Sequence, residues 1–180
     1  MIEGTRVNLR AMEMTDLERC QRWINDREVT RHLAMRYPMS MAAEESWLRN
    51  QTSKPMSFDA VLFAIETKEG RHIGNIDLRA VQPENRASML GVMIGERDCW
   101  SQGYGADAIQ TLLGFAFDEM NLNRVELHVF AKNERAIACY LKCGFVEEVR
   151  LRQAIYKRGV YADQLVMGVL RDEFEASRGG

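Results

Sequence analysis

Met89-Leu90-Gly91-Val92-Met93-Ile94-Gly95 is an almost continuously apolar run of strand length. Trp100-Ser101-Gln102-Gly103-Tyr104-Gly105-Ala106-Asp107-Ala108 follows it. Then Ile109, Leu112, Leu113, Ala116, Phe117 and Met120 recur at the spacing of one stripe on an amphipathic helix. Arg124 to Phe130 alternates, with Val125, Leu127 and Val129 on one side. Strand, helix and strand form a βαβ unit, whose two strands should be parallel and joined by a right-handed crossover. The unbroken apolarity of the first strand predicts burial on both of its faces.

Outward from this unit, Arg6 to Arg10 alternates and reads as a first strand. Thr15 and Glu18 fit a capping box for a helix through about Asn25, with Leu17, Cys20 and Ile24 on one face. Ser40 caps a second helix over Met41 to Asn50. Val61 to Thr67 and His72 to Val81 read as strands around the turn Lys68-Glu69-Gly70-Arg71. A short helix from Asn133 to Lys142 stops at Gly144, and Phe145 to Leu151 and Ala162 to Leu170 are the last strands. The fold class is α/β (mixed α+β), one twisted mixed sheet of about six to seven strands with flanking helices. One domain over residues 1–175 is expected, with a frayed tail over 176–180.

The chain has 180 residues, 46% hydrophobic and 28% charged, which excludes disordered and low-complexity classes. A net charge of −2 carries no footprint for nucleic acid or an anionic membrane, so neither is an expected partner. No apolar run reaches the ~18–20 residues that span a bilayer. Four cysteines, Cys20, Cys99, Cys139 and Cys143, are too few for a secreted disulfide framework. A cytoplasmic protein with reduced thiols is the expectation. Cys139 and Cys143 share a helix face as small packing residues, and His32, His72 and His128 show no metal spacing, so no metal is expected.

The Trp100–Ala108 stretch joins a buried strand to a helix. Its glycines let a ligand approach the backbone, and the first helical turn offers unpaired N–H groups with partial positive charge. Together these suit a phosphate or pyrophosphate. Gly103, Gly105 and Ala108 also match the dinucleotide pattern GxGxxA. The position past mid-chain argues against that reading, as does the missing acid at the end of the next strand, where Phe130 leads into Ala131-Lys132-Asn133.

Asn133, Ala136, Tyr140, Lys142, Gly144 and Phe145 then supply a run N-x-x-A-x-x-x-Y-x-K-x-G-F. This run resembles the closing motif of the Gcn5-related N-acetyltransferases, and the Trp100–Ala106 loop resembles their acyl-CoA pyrophosphate loop. The resemblance extends from Val7 to about Phe174. Asn25 to Leu33 and Gly159-Val160-Tyr161-Ala162-Asp163 resemble the RimJ/RimL-like branch, named for ribosomal-protein acetyltransferases.

The resemblance implies an acetyl-CoA-dependent N-acetyltransferase that moves the acetyl group directly to a primary amine. Backbone N–H groups of Gln102, Gly103, Tyr104, Gly105 and Ala106 would hold the CoA pyrophosphate. The pantetheine arm would lie between splayed parallel strands, against Val92, Met93 and Ile94, and Asn133 would bond to it. Asn133 by itself reads equally as a helix N-cap, and Tyr140 as a core aromatic; in the family pattern Tyr140 stands near the thioester sulfur as general acid. A homodimer through the last strands or first helices also follows family habit.

A lysine-like amine has a pKa of ~10.4, so its proton must be removed before attack. The branch often carries a glutamate where this chain has Met89, which cannot accept a proton. Asp77, Glu96, Asp98, Asp26 and a water chain remain open as the base. Asp26 and Asp77 are also candidate acceptor-binding residues, beside Glu28, Glu44 and Glu45. Met12, Met14, Met35, Met39, Met41 and Met56 crowd the first third, with Trp23, Tyr37 and Trp47, as core or as an adaptable wall. The acceptor is a protein N-terminus, a polyamine, an amino sugar or similar; the lack of an acidic run disfavours a dedicated polyamine site. The rival reading is a non-catalytic acyl-CoA sensor or interaction module, motivated by Met89.

Overall fold

The computed structural model describes residues 1–53 and 60–178. Its strands are β1 (Ile2–Glu3), β2 (Val7–Ala11), β3 (Val61–Thr67), β4 (His72–Gln82), β5 (Ala87–Ile94), β6 (Arg124–Phe130), β7 (Val146–Lys157) and β8 (Val160–Leu170). The helices are α1 (Leu17–Asn25), α2 (Met41–Thr52), α3 (Tyr104–Gly114), α4 (Glu134–Lys142) and α5 (Arg171–Arg178). All strands join one mixed sheet in the order β1-β2-β3-β4-β5-β6-β8-β7, with β5–β6 as its parallel pair.

Period-two alternation sorts the side chains onto two cores. Val61, Phe63 and Ile65 of β3 face one side, with Leu90 of β5 and Val125, Leu127 and Val129 of β6. The stripe Ile109, Leu112, Leu113, Ala116, Phe117 and Met120 covers them and is buried throughout. Each fully buried leucine of that stripe contributes about 1.5–3 kcal/mol over an exposed one. The stripe runs on through a π-helical turn over Phe115–Glu119, where the Met120 N–H bonds to the Phe115 carbonyl at 3.1 Å. On the opposite side, Met12, Cys20, Trp23, Leu48 and Ala64 seat α1 and α2 against the sheet, with Met93 and Trp100 packed alongside.

Several expectations need correction. The sheet has eight strands because Ile2–Glu3 pairs with Asn8 and Leu9, and two residues are too few to show alternation. Burial of β5 on both faces is not found: Met89, Gly91 and Met93 are only half-buried. The last two strands are longer than their alternation showed, since register shifts at Glu147/Val149 and Leu151/Ile155 break the pattern. Ala176 to Arg178, expected in a frayed tail, complete α5, and Arg178 pairs with Asp118 at 3.1 Å. Met56 and residues 179–180 lie outside the described residues.

The capping box also moves. Thr15 and Glu18 do not form it; the N–H of Glu13 instead donates to Asp16 Oδ2 at 3.0 Å. Asp16 is fully buried and accepts from Arg10 at 2.8 and 2.9 Å and from Arg19 at 2.7 Å, with His72 Nδ1 at 3.0 Å. Burial pushes its carboxyl up, but Arg10, His72, the Glu13 backbone and Arg19 together hold it well below the usual carboxylate range. This one side chain therefore ties β2, α1 and β4 together. Asp16→Asn should lower stability by about 3 kcal/mol, because Arg19 and Arg10 lose their buried carboxylate and Arg10 is left with Glu66 alone. A folded-state pKa below the unfolded ~3.9 stabilises above that value, and the gain is lost as pH falls. Urea titrations at neutral and acid pH should show the two proteins converging on acidification.

Candidate active site

The parallel pairing of β5 with β6 covers only Ala87–Arg124, Ser88–Val125 and Met89–Glu126. Beyond that fork the strands part. Gly95 donates its N–H to the Ile73 carbonyl at 2.8 Å. By alternation, the backbone groups of Met93 and Gly91 also turn to β4, and those of Val92 and Ile94 turn to the cleft. On β6 the same logic applies: Ala131 donates to the Asp163 carbonyl of β8 at 2.9 Å, which leaves His128 and the Phe130 N–H facing the cleft, while the Phe130 carbonyl accepts from Asn133 N–H at 2.8 Å. Of the expected Val92, Met93 and Ile94, two therefore turn backbone toward the cleft, with the Ile94 carbonyl taken by Trp100. The Met93 side chain packs in the second core instead.

At the open end of β5, Trp100 Nε1 donates to the Ile94 carbonyl at 2.8 Å and the Arg135 guanidinium stacks 4.1 Å from the Trp100 ring. Gly103 then adopts φ +87°, a left-handed conformation that favours glycine, and opens α3. Tyr104, Gly105 and Ala106 form the first turn, where N–H groups have no intrahelical partner. Asp107 anchors this turn by accepting the N–H groups of Thr5, Arg6 and Val7 at 3.2, 2.7 and 2.9 Å. Arg6 reaches the Gln102 carbonyl at 3.1 Å, and the Gln102 side chain bonds to the Asp98 carbonyl. The loop is thus held by side chains behind it while its front stays open.

Asn133 caps α4, its side-chain oxygen accepting from Ala136 N–H at 3.4 Å. Its Nδ2 donor has no partner among the described residues, so the capping and ligand-binding roles do not compete. Tyr140 is half-buried against Phe145, ring centroids 6.0 Å apart. Burial, reinforced by Cys139 and Cys143, pushes its hydroxyl above the usual phenol range, so it stays protonated and suits an acid. The two cysteines are free thiols on the α3 side, and Cys143 Sγ points to the Ala106 carbonyl at 3.7 Å.

The face of the sheet toward α1 and α2 carries different chemistry. Asp77 sits opposite Gly91 and holds Arg79 at 2.9 and 3.2 Å. A Cβ on Gly91 would lie 2.2 Å from Asp77 Oδ1, so the missing side chain is what admits this carboxylate over β5. Met89 stands between Arg79 and Glu126 in the register. Glu126 and Glu148 share Arg124 at 3.1 Å and closer, and His128 lies 3.9 Å from Glu126. Asp26 lies elsewhere, its carboxylate accepting from Glu28 N–H at 2.7 Å, beside Arg97 past the end of β5. β5 ends three residues, or about 10 Å of strand, beyond Gly91, so Asp26 and Asp77 lie at different places along it and share no partner among the described residues. Glu96 is bound by Arg22, Arg71 and Trp23, and Asp98 by Arg71. Glu28 and Glu45 pair with Arg31 and Arg49 on the surface, whereas Glu44 is buried and its carboxyl is raised by desolvation.

Some site residues had no sequence signal. Lys157 donates to the Thr30 and Leu33 carbonyls and so straps the segment after α1 across the end of β6. His32 there faces Phe130 at 6.0 Å. Its Nδ1 is buried without a partner among the described residues, and burial beside Arg31 and Arg135 lowers its pKa. Trp100 was legible as a motif residue, but Arg135 fills an unspecified position of the second motif, so their stack was not legible.

Residues 6–146 match the acetyltransferase (GNAT) domain family. An uncharacterised N-acetyltransferase, p20, of Bacillus licheniformis is 28% identical over 171 residues, which cover 94% of this chain and 95% of that protein. The spermidine N(1)-acetyltransferase of Vibrio cholerae is 26% identical over 177 residues, 95% of this chain and 96% of that one. In fold, the chain is similar to a crystal structure of spermidine N-acetyltransferase from Vibrio cholerae in complex with CoA and spermine. The TM-score is 0.86 at 24% identity, over 96% of this chain and 99% of the other. A cleft between parting strands, a glycine-led helix N-terminus beside it and a family match across most of its length make this chain a member of the GNAT acetyltransferases, an N-acetyltransferase that uses acetyl-CoA.

Proposed function

We propose that the cleft takes acetyl-CoA with its pyrophosphate on Gln102 to Ala106, its pantetheine arm against Val92 and Ile94, and its thioester beside Tyr140. The acceptor is a primary amine of the polyamine class, arriving from the α1–α2 face. The observation that carries this reading is the early end of β5–β6 pairing, which leaves the facing strand backbone without a strand partner among the described residues. Asn133 would donate its free Nδ2 to the arm. A cleft-facing N–H of Val92 or Ile94 would hold the oxyanion during attack. Tyr140 would return a proton to the departing thiolate.

Polyamine acetylation is supported by the relatives of that activity and by acids drawn from separate strands. Asp77, Glu126 and Glu148 reach the same face from β4, β6 and β7. No acidic run in the sequence is needed to collect them. The placement in the RimJ/RimL-like branch rests on Asn25 to Leu33 and Gly159 to Asp163. A cytoplasmic setting fits the four free thiols, and no helix among the described residues is long and apolar enough to cross a membrane. A homodimer through the last strands fits the exposed Val149, Leu151 and Tyr156 on the edge strand β7.

Thiol release from acetyl-CoA, measured against spermidine, N-terminal peptides and amino sugars, tests the acceptor. Spermidine should turn over, and Tyr140→Phe should lower kcat about 10²-fold or more without weakening acetyl-CoA binding. Turnover of another amine alone would overturn the polyamine assignment. Tight acetyl-CoA binding with no amine accepted would favour the sensor. Asn133→Asp keeps the cap acceptor but loses the Nδ2 donor. It should retain the wild-type melting temperature while acetyl-CoA affinity falls about 2–10-fold, the worth of one hydrogen bond.

A further inference from the structure

We infer that the Asp77 carboxylate takes the proton from the acceptor amine, a role that rests on the acetyl-transfer site proposed above. An ammonium group cannot attack a thioester, so a base must lie on the face from which the amine arrives. Met89, at the fork, has no basic atom. Glu96, Asp98 and Asp26 are each bound by guanidinium or backbone donors beyond the end of β5. Glu126 is tied to Arg124, which also holds Glu148.

Asp77 differs in two ways. Its oxygen lies where a side chain on Gly91 would be, so it reaches from β4 onto β5 at the residue before Val92, whose backbone faces the cleft. Asp77 is also more buried than Glu126, its side chain 23% against 32% exposed, although each holds one guanidinium, Arg79 and Arg124. Burial raises its carboxyl above the usual range, and Arg79 offsets only part of that, which brings its basicity closer to neutral pH. The groups around it are few. β5 presents Met89, Gly91 and Met93, and β3 presents Leu62. Glu126 and His128 of β6 stand across the fork, and Cys20 of α1 and Glu44 of α2 lie on the same face.

The proton count closes without another reactant. R–NH3⁺ gives one proton to Asp77, and the free amine forms the C–N bond. The C–S bond breaks, Tyr140 protonates the thiolate, and the second nitrogen proton returns to Tyr140 through water. Asp77 then releases its proton to solvent.

The test is the pH profile of kcat/KM for wild type, Asp77→Asn, Asp77→Glu, Glu126→Gln and His128→Gln, with spermidine and, in parallel, the other amines of the panel. Acetyl-CoA affinity is measured by calorimetry on each variant as a check of folding. Asp77→Asn should lose about 10²–10⁴-fold near pH 7, and the loss should shrink as pH rises toward the amine's own pKa of ~10.4. Asp77→Glu should recover part of the neutral activity. Gly91→Ala, which displaces the carboxylate, should reproduce the Asp77→Asn profile with acetyl-CoA affinity retained. An Asp77→Asn profile parallel to wild type at every pH would overturn the assignment. So would loss of the acid limb in Glu126→Gln or His128→Gln while Asp77→Asn keeps it. If spermidine is silent but a peptide or amino sugar turns over, the polyamine reading fails alone, and the Asp77 profile is read on that amine.

Discussion

Two parallel strands that stop pairing after three residues set the terms for the rest of this molecule. A strand interior normally satisfies every backbone donor and acceptor, and each such group left unmade out of water costs about 1–3 kcal/mol. Here Val92 and His128, with the N–H groups of Ile94 and Phe130, turn toward an open cleft, while the Ile94 and Phe130 carbonyls accept from Trp100 and Asn133. Water can serve them while the cleft is empty, and a strand-like arm can serve them when it is full. The splay is held from outside. Trp100 takes the Ile94 carbonyl, Arg135 stacks on Trp100, and Lys157 straps the segment that faces Phe130. Both strand ends are therefore fixed by groups that do not fill the gap.

The sheet separates two kinds of charge. On one face, the N-terminus of α3 offers free N–H groups, and Asp107 spends its carboxylate on the N-terminal strand rather than on the open loop. On the other, carboxylates come from β4, β6 and β7 beneath α1 and α2. A net charge of −2 averages this polarity away, which is why composition carried no sign of it. The wall over the second face depends on Asp16, since one buried carboxylate joins α1 to both β2 and β4. A charge so placed contributes through its partners, and removing any of them strands the others.

What the sequence showed and what it hid divide along a physical line. Short-range periodicity revealed the α3 stripe, the strands around it, the Ser40 cap and the Gly103 turn, because each is encoded within a few residues. Asn133 and Tyr140 were visible as a motif. Contacts that depend on register were not. Asp77 meets Gly91 only because β4 and β5 align them, and a one-residue slip would turn the carboxylate to the other core. Asp16 lay unremarked between Thr15 and Glu18, and nothing nearby in sequence named Arg10, Arg19 and His72 as its partners. The apolarity of β5 misled for a related reason: Met89, Gly91 and Met93 are only half-buried, and polar side chains from β4 lie over Gly91.

That same register bears on how a site can keep its chemistry when one residue type changes. Neighbouring antiparallel strands present side chains to a common face about 5 Å apart. A proton acceptor absent at Met89 can therefore be supplied from β4, provided the intervening position has no side chain. Gly91 meets that condition, and Arg79, opposite Met89, turns back to hold Asp77 in place. Tyr140 approaches from α4, on the other side of the sheet. Burial raises both groups, but with opposite consequences: the phenol keeps its proton and the carboxylate becomes a better acceptor. With the proposed roles, proton removal and proton delivery would fall on different faces of the sheet, with the thioester between them.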